Sequence, residues 1–247
     1  MGLDLNLPTG VTVEKEKDSL GGGQVLDTGI YKGVLEMCYH GVTDKGTNFI
    51  DLHFKYKNNV YKHKEYISNR DGEFSVTKDG VTRPMFGYAK MDSLFKLITG
   101  RSLAENGGTT DKRFIKIFDF ATMKDKNTEV EVFTDVLNIP VAIAISKINE
   151  EKTTPESNYT VGTGEFRQKN TFVKYFNADT GLTLAEIADG VKSPVFFNSW
   201  RKKYDGVTIT KKAKIAAPSN VGAAVGMPTG NTAATTTVET DDIFANG

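Results

Sequence analysis

Fourteen residues, HFKYKNNVYKHKEY from His53 to Tyr66, bring four lysines together with four aromatic rings and no acid before Glu65. Side chains alternate along an extended strand, so Lys55 and Lys57 share one face while Phe54 and Tyr56 share the other. A strongly twisted hairpin lets both sets line one groove. Ammonium groups of Lys55, Lys57, Lys62 and Lys64 can follow phosphates, and the rings of Tyr56 and Tyr61 can stack on unpaired bases, a contact worth ~1–3 kcal/mol per base. That pairing of functions suits a single-stranded nucleic acid. The alternative is a solvated hairpin whose lysines protect a sheet edge and whose rings fill the core.

Two further stretches have the same character. FRQKNTFVKYF, residues 166–176, sets Arg167, Lys169 and Lys174 among Phe166, Phe172, Tyr175 and Phe176 with no acid. Alternation puts Phe172 with Lys174 on one side and Val173 with Tyr175 on the other. WRKKYDGVTITKKAK, residues 200–214, adds Arg201, Lys202, Lys203, Lys211, Lys212 and Lys214 against Asp205 alone. Cations at a helix C-terminus also complement its dipole, which is the ordinary explanation for the first three.

Motifs for other chemistry are missing. There is no Walker loop, no Gly-x-Gly-x-x-Gly after a strand, no His-Glu-x-x-His and no Gly-x-Ser-x-Gly. His40, His53 and His63 fall outside any metal-ligand spacing, although His53 and His63 flank a turn and could face each other. Asp92, Asp119 and Asp135 have no evident pairing for acid-base work. The expectation is therefore no catalytic residue, no metal and no cofactor. Cys38 is the sole cysteine, which excludes an intramolecular disulfide and suits a reducing cytoplasm. The opening MGLDLNLPTG lacks the basic and apolar regions of a secretion signal, and no window approaches the ~20 apolar residues of a membrane span.

The elements that must position these residues are mostly strands. TGIYKGVLEMCYHGV, TNFIDLHFKYK and VYKHKEYISN alternate apolar and polar residues, with TDKG and Asn58-Asn59 as turns, and predict a three-stranded antiparallel meander. Two Asp-Gly steps in residues 70–89 predict a small hairpin. Met91, Leu94, Phe95 and Ile98 recur at helical spacing before Gly100, the clearest helix. RFIKIFDF, TEVEVFTDVL and IPVAIAISKI form a second β-rich block. Thr183 with Glu186 makes a capping box for a short helix, SPVFFNSWRKKYDG predicts another, and VTITKKAKI predicts the last strand. Residues 1–24 form a loosely held arm, and residues 216–238 are a linker with no charge or aromatic ring, too polar to offset chain entropy.

The formal charge is zero, yet it is unevenly spread: −2 over residues 1–18, −3 over residues 239–247 and +5 between them. A mildly basic body lies between acidic ends. The final segment, Glu239, Asp241 and Asp242 beside Ile243 and Phe244, resembles the tails of bacterial and phage single-stranded-DNA-binding proteins. TGIYKGVLEMCYHG, FIDLHFKY, MDSLFKLITG and NIPVAIAI in the body are similar to phage-encoded members of that group. The resemblance implies an oligonucleotide-binding β-barrel, a polar linker, and an acidic tip containing a phenylalanine that recruits replication proteins such as a polymerase, helicase or primase.

The expected architecture is thus α+β and β-rich: a five-stranded barrel of the oligonucleotide-binding type over residues 25–215, with inserted helices and a disordered C-terminal tail. The expected function is sequence-independent binding of single-stranded DNA during replication, recombination or repair of a phage genome in the host cytoplasm, without membrane attachment. Lys55, Lys57, Lys62, Lys64, Lys169 and Lys174 would contact phosphates, and Tyr56, Tyr61, Phe172 and Tyr175 would stack. A β-rich phage assembly protein that ignores nucleic acid and a DNA-processing enzyme are the competing readings.

Overall fold

The computed structural model describes residues 25–119, 122–156 and 159–213. The expected arm, the linker and the acidic tip from Glu239 to Phe244 lie outside the described residues.

Three strands open the described chain: β1 (Gly29–Val42), β2 (Asn48–Tyr56) and β3 (Asn59–Tyr66). They form the expected antiparallel meander, with Leu35 opposite Phe54 and Phe54 opposite Tyr61. The β2–β3 turn is Lys57–Asn58, and Lys57 takes the positive φ of 54° that was expected at the asparagines. A small separate hairpin follows, β4 (Ser75–Lys78) and β5 (Val81–Pro84), turning at Asp79-Gly80 where both φ angles are positive. The clear helical pattern becomes α1 (Phe86–Thr99), which buries Met91, Leu94 and Phe95 and stops at Gly100 with φ 74°. The short α2 (Leu103–Asn106) has its own capping box, Ser102 with Glu105.

The second block is longer than its sequence pattern suggests: β6 (Thr110–Asp119), β7 (Lys124–Phe133), β8 (Pro140–Glu156) and β9 (Tyr159–Asn177). Then come α3 (Leu184–Ala188), capped by Thr183 and Glu186 as expected, α4 (Val195–Tyr204) and β10 (Thr208–Lys211). Among the described residues no helix is long and apolar enough to cross a membrane.

Among the described residues the fold is β-rich α+β, built on one eight-stranded sheet. β1 is its pivot. Residues Gly29–Val34 pair with β8, Val34–Val42 pair with β2, and Tyr39–His40 also meet β7. A bulge between Leu35 and Met37 bends the strand where its partners change, as extra residues in a ladder do. The resulting path β3–β2–β1–β8–β9 curls so that Phe54 of β2 meets Phe172 of β9 edge-to-face, with centroids 5.9 Å apart. The main core fills this curl: Leu35, Cys38, Ile50, Leu52, Val141, Ile143 and Ile145 are buried there beneath α1.

The expected five-stranded barrel is corrected on two counts. The sheet has eight strands, because the β6–β7 hairpin joins β1 and β10 continues beside β8 beyond the end of β1. It also remains open, since no ladder joins β3 to β9 among the described residues. Side chains occupy that seam instead: the His63 ring stacks on Phe172 at 4.8 Å, and Lys90 of α1 donates to the Phe172 carbonyl at 2.6 Å.

Candidate nucleic-acid interface

The β2–β3 ladder fixes which side chains share a face. Cross-strand partners point the same way, so the outward surface carries Phe49, Asp51, His53 and Lys55 from β2 opposite Tyr66, Lys64, Lys62 and Val60 from β3. Lys55, Lys62 and Lys64 are exposed there, as expected of phosphate contacts. Phe49 forms a floor, only 8% exposed, with the Lys64 ammonium 4.0 Å above its ring centroid and Tyr66 edge-on at 6.3 Å. Tyr66, by contrast, is 52% exposed.

The Asp51 carboxylate on this surface is engaged by neighbours on the same face. Asp51 accepts the Tyr39 hydroxyl at 3.1 Å and lies 3.4 Å from Nε2 of His53. Burial and the Asp51 charge hold the Tyr39 hydroxyl far above its usual range, so it stays a donor. Glu36 meets Lys55 at 3.3 Å, an exposed pair of the kind that contributes little. Beyond β1 the same apolar floor continues through Met37 and Tyr39 to Val130, Val132, Ile115 and Ile117 of the β6–β7 hairpin.

Four rings expected to stack on bases are not presented on this surface. Tyr61, Phe172 and Tyr175 belong to the main core, at 7%, 0% and 2% exposure, so a base cannot reach their faces without unfolding the domain. Tyr56 points inward and packs edge-on against Tyr31 at 5.0 Å, with Lys57 of the turn 5.2 Å over its ring. The assignment of Phe172 and Lys174 to one face is also corrected. A bulge leaves Val173 unpaired between Phe172 opposite Ile145 and Lys174 opposite Ala144, so Phe172 turns inward and Lys174 outward.

Nor do all the lysines converge. Lys174 lies under α4, 5.3 Å from the Phe196 ring, and burial lowers its pKa. Lys169 and Arg167 both bind Glu150, at 2.8 and 2.9 Å, on the far part of β9. Of the third basic stretch, Arg201 pairs with Asp205 at 3.2 Å, while Lys211 and Lys212 line a cleft with Glu150, Glu151 and Arg167; Lys214 lies outside the described residues. Only Lys55, Lys62 and Lys64 of the expected set share one surface.

Sequence reasoning missed Tyr66, Phe49 and His53 as members of that surface. The signal was available, since Tyr66 has the same parity as Lys62 and Lys64 on β3. It also missed a buried cluster on the inner side of β3. Glu65 takes Lys90 and His63 as partners there, and Lys90 is only 9% exposed. Burial works against the Glu65 carboxylate, yet the His63 hydrogen bond and the Lys90 charge outweigh it, and its pKa falls. Burial likewise lowers the pKa of Lys90. His53 and His63 do not face each other, for they stand on opposite faces of the hairpin. Neither a family model nor a curated protein sequence matches the chain.

Proposed function

We propose that this protein binds single-stranded DNA without regard to sequence, along the outward face of β2 and β3. The observation that carries the reading is the placement of Lys55, Lys62 and Lys64 in a row along one two-stranded surface that ends at exposed Tyr66 and the Phe49 floor. Three cations at strand spacing follow a phosphate chain, and the open ring offers a face to an unpaired base. The connectivity supports it: once the β4–β5 and β6–β7 hairpins are set aside as insertions, a meander, a helix and the long strands β8 and β9, with β1 shared between β2 and β8, follow the order of an oligonucleotide-binding barrel, whose second and third strands carry the ligand. The role would lie in replication, recombination or repair of a phage genome. Glu239, Asp241, Asp242, Ile243 and Phe244 would serve as the partner segment, the acids competing for the basic face and the apolar pair filling a pocket on a replication protein.

Fluorescence titration with labelled oligo-dT and with duplex, at two salt concentrations, tests this. Single strands should bind more tightly, and Lys62→Ala with Lys64→Ala should flatten the salt dependence by about 1.4 in log–log slope, at ~0.7 per phosphate. Equal affinity for duplex and single strand, or a slope indifferent to those lysines, refutes the reading. Removing residues 239–247 should tighten DNA binding and abolish partner contacts, whereas a tail serving only solubility changes neither.

A further inference from the structure

We propose that two copies of this chain join edge to edge through β6, making one continuous sheet from two. β6 pairs with β7 over all ten of its residues and has no strand on its other side among the described residues. Elsewhere β10 has four residues, β3 and β9 face one another at the Lys90 seam, and β7 is partly taken by β1, whereas β6 is open over its full length. β6 has no proline, its ladder has no bulge, and it exposes Phe114 at 72% and Phe118 at 44%. A long regular edge without proline or bulge pairs with another strand wherever the charges it carries find a complementary register.

The chemistry of β6 selects its partner. The hairpin carries five basic and five acidic residues, with Lys112 already on Glu129 at 3.0 Å, so it offers no net charge to a phosphate chain. A second β6 fits it. In an antiparallel pair about a two-fold axis normal to the sheet, opposed residues share a face. Centring the axis on Phe114 opposes Lys112 to Lys116, and centring it on Lys116 opposes that lysine to its own copy. Centring it on Ile115 opposes Phe114 to Lys116 and Phe118 to Lys112, each twice, with no two cations in register. Ammonium groups over rings and facing isoleucines at the axis are favourable cross-strand pairs. The acidic positions 111 and 119 then meet only at the ends of the ladder.

Sedimentation velocity on the full chain, without nucleic acid, should give the mass of two 27.1 kDa chains. Mild oxidation should crosslink Ile115→Cys to its own copy and leave Arg113→Cys uncrosslinked, the native Cys38 being fully buried. Phe114→Lys, which puts an ammonium opposite Lys116, should return the single-chain mass, and adding Lys116→Glu should restore the dimer. A single-chain mass for the wild type, a dimer unchanged by Phe114→Lys, or crosslinking at Arg113→Cys instead of Ile115→Cys each overturns the proposal. A single-chain wild type whose oligo-dT binding is lost in Phe114→Lys also overturns it, assigning the edge to nucleic acid. The mass is read without DNA, so it stands apart from whatever the β2–β3 face binds.

Discussion

Lys90 and Phe172 are joined by a hydrogen bond of 2.6 Å from a helix ammonium to a strand carbonyl, and the same ammonium pairs with Glu65. One side chain from α1 thereby ties β3 to β9 where no backbone ladder does. Removing one member of a buried pair strands the other without its partner, which costs ~3–5 kcal/mol. Lys90→Met should therefore lower the unfolding free energy read from urea titration by that order, and Lys90→Met with Glu65→Leu should recover much of the loss. A midpoint unmoved by Lys90→Met would mean that the seam is held by apolar contacts alone.

His63 makes the same seam sensitive to acid. Burial pushes its pKa below the ordinary 6.5, against the pull of Glu65, so the unfolded chain takes up a proton before the folded one does. Stability from this group is complete above about pH 6.5 and falls as pH drops from there toward the lowered folded value. Glu65, whose pKa is lowered, contributes further loss only at more acid pH, below its ordinary 4.5. Melting temperature should decline between pH 7 and pH 5 in the wild type, and His63→Phe should flatten that decline while keeping the ring against Phe172. A slope unchanged by the substitution would place the titrating group elsewhere.

Tyr66 and Phe172 separate binding from folding. Tyr66 is half exposed beside the lysines, so Tyr66→Ala should cost ~1–3 kcal/mol in oligo-dT affinity with little change in melting temperature. Phe172 is fully buried against Phe54 and His63, so Phe172→Ala should cost ~3–5 kcal/mol of stability and leave the affinity of the still-folded fraction intact. Reversed outcomes in paired thermal melts and titrations would return Phe172 to the binding surface.

How much of this was legible depended on register. The meander, α1 with its Gly100 stop and the Thr183–Glu186 box follow from local patterns, because periodicity and caps are encoded within a few residues. Cross-strand partners and the face of Phe172 were not. Placing the β2–β3 turn at Asn58–Asn59 rather than Lys57–Asn58 slides the pairing by two residues and would set Lys55 against Lys62, where the fold sets it against Val60. Two like charges directly opposed are disfavoured, and a longer-range view of the ladder could have rejected that register. The Val173 bulge carries no local signal, and it alone decides that Phe172 enters the core while Lys174 leaves it. The seam of Glu65, Lys90 and His63 unites β3 with α1 across intervening sequence, so no window of the chain contains it.

Gly33 tests the pivot on which the curl depends. It lies where β1 passes from β8 to β2, and a Cβ there would stand 2.2 Å from the Lys55 carbonyl oxygen and 2.7 Å from the Phe54 ring. Neither neighbour can retreat, since one is ladder backbone and the other a fully buried ring. Gly33→Ala should cost ~1–3 kcal/mol or more, as overpacking does in a filled core. Because the displaced strand end carries Lys55, the same variant should weaken oligo-dT binding even where it remains folded. Gly107 is the contrasting position, with φ −59° and no atom within 4 Å of an added Cβ. Gly107→Ala should stabilise by ~0.4–1 kcal/mol through the unfolded chain. Urea midpoints for the two variants that shift in the same direction would mean that close approach at Gly33 does not hold β1 against β2.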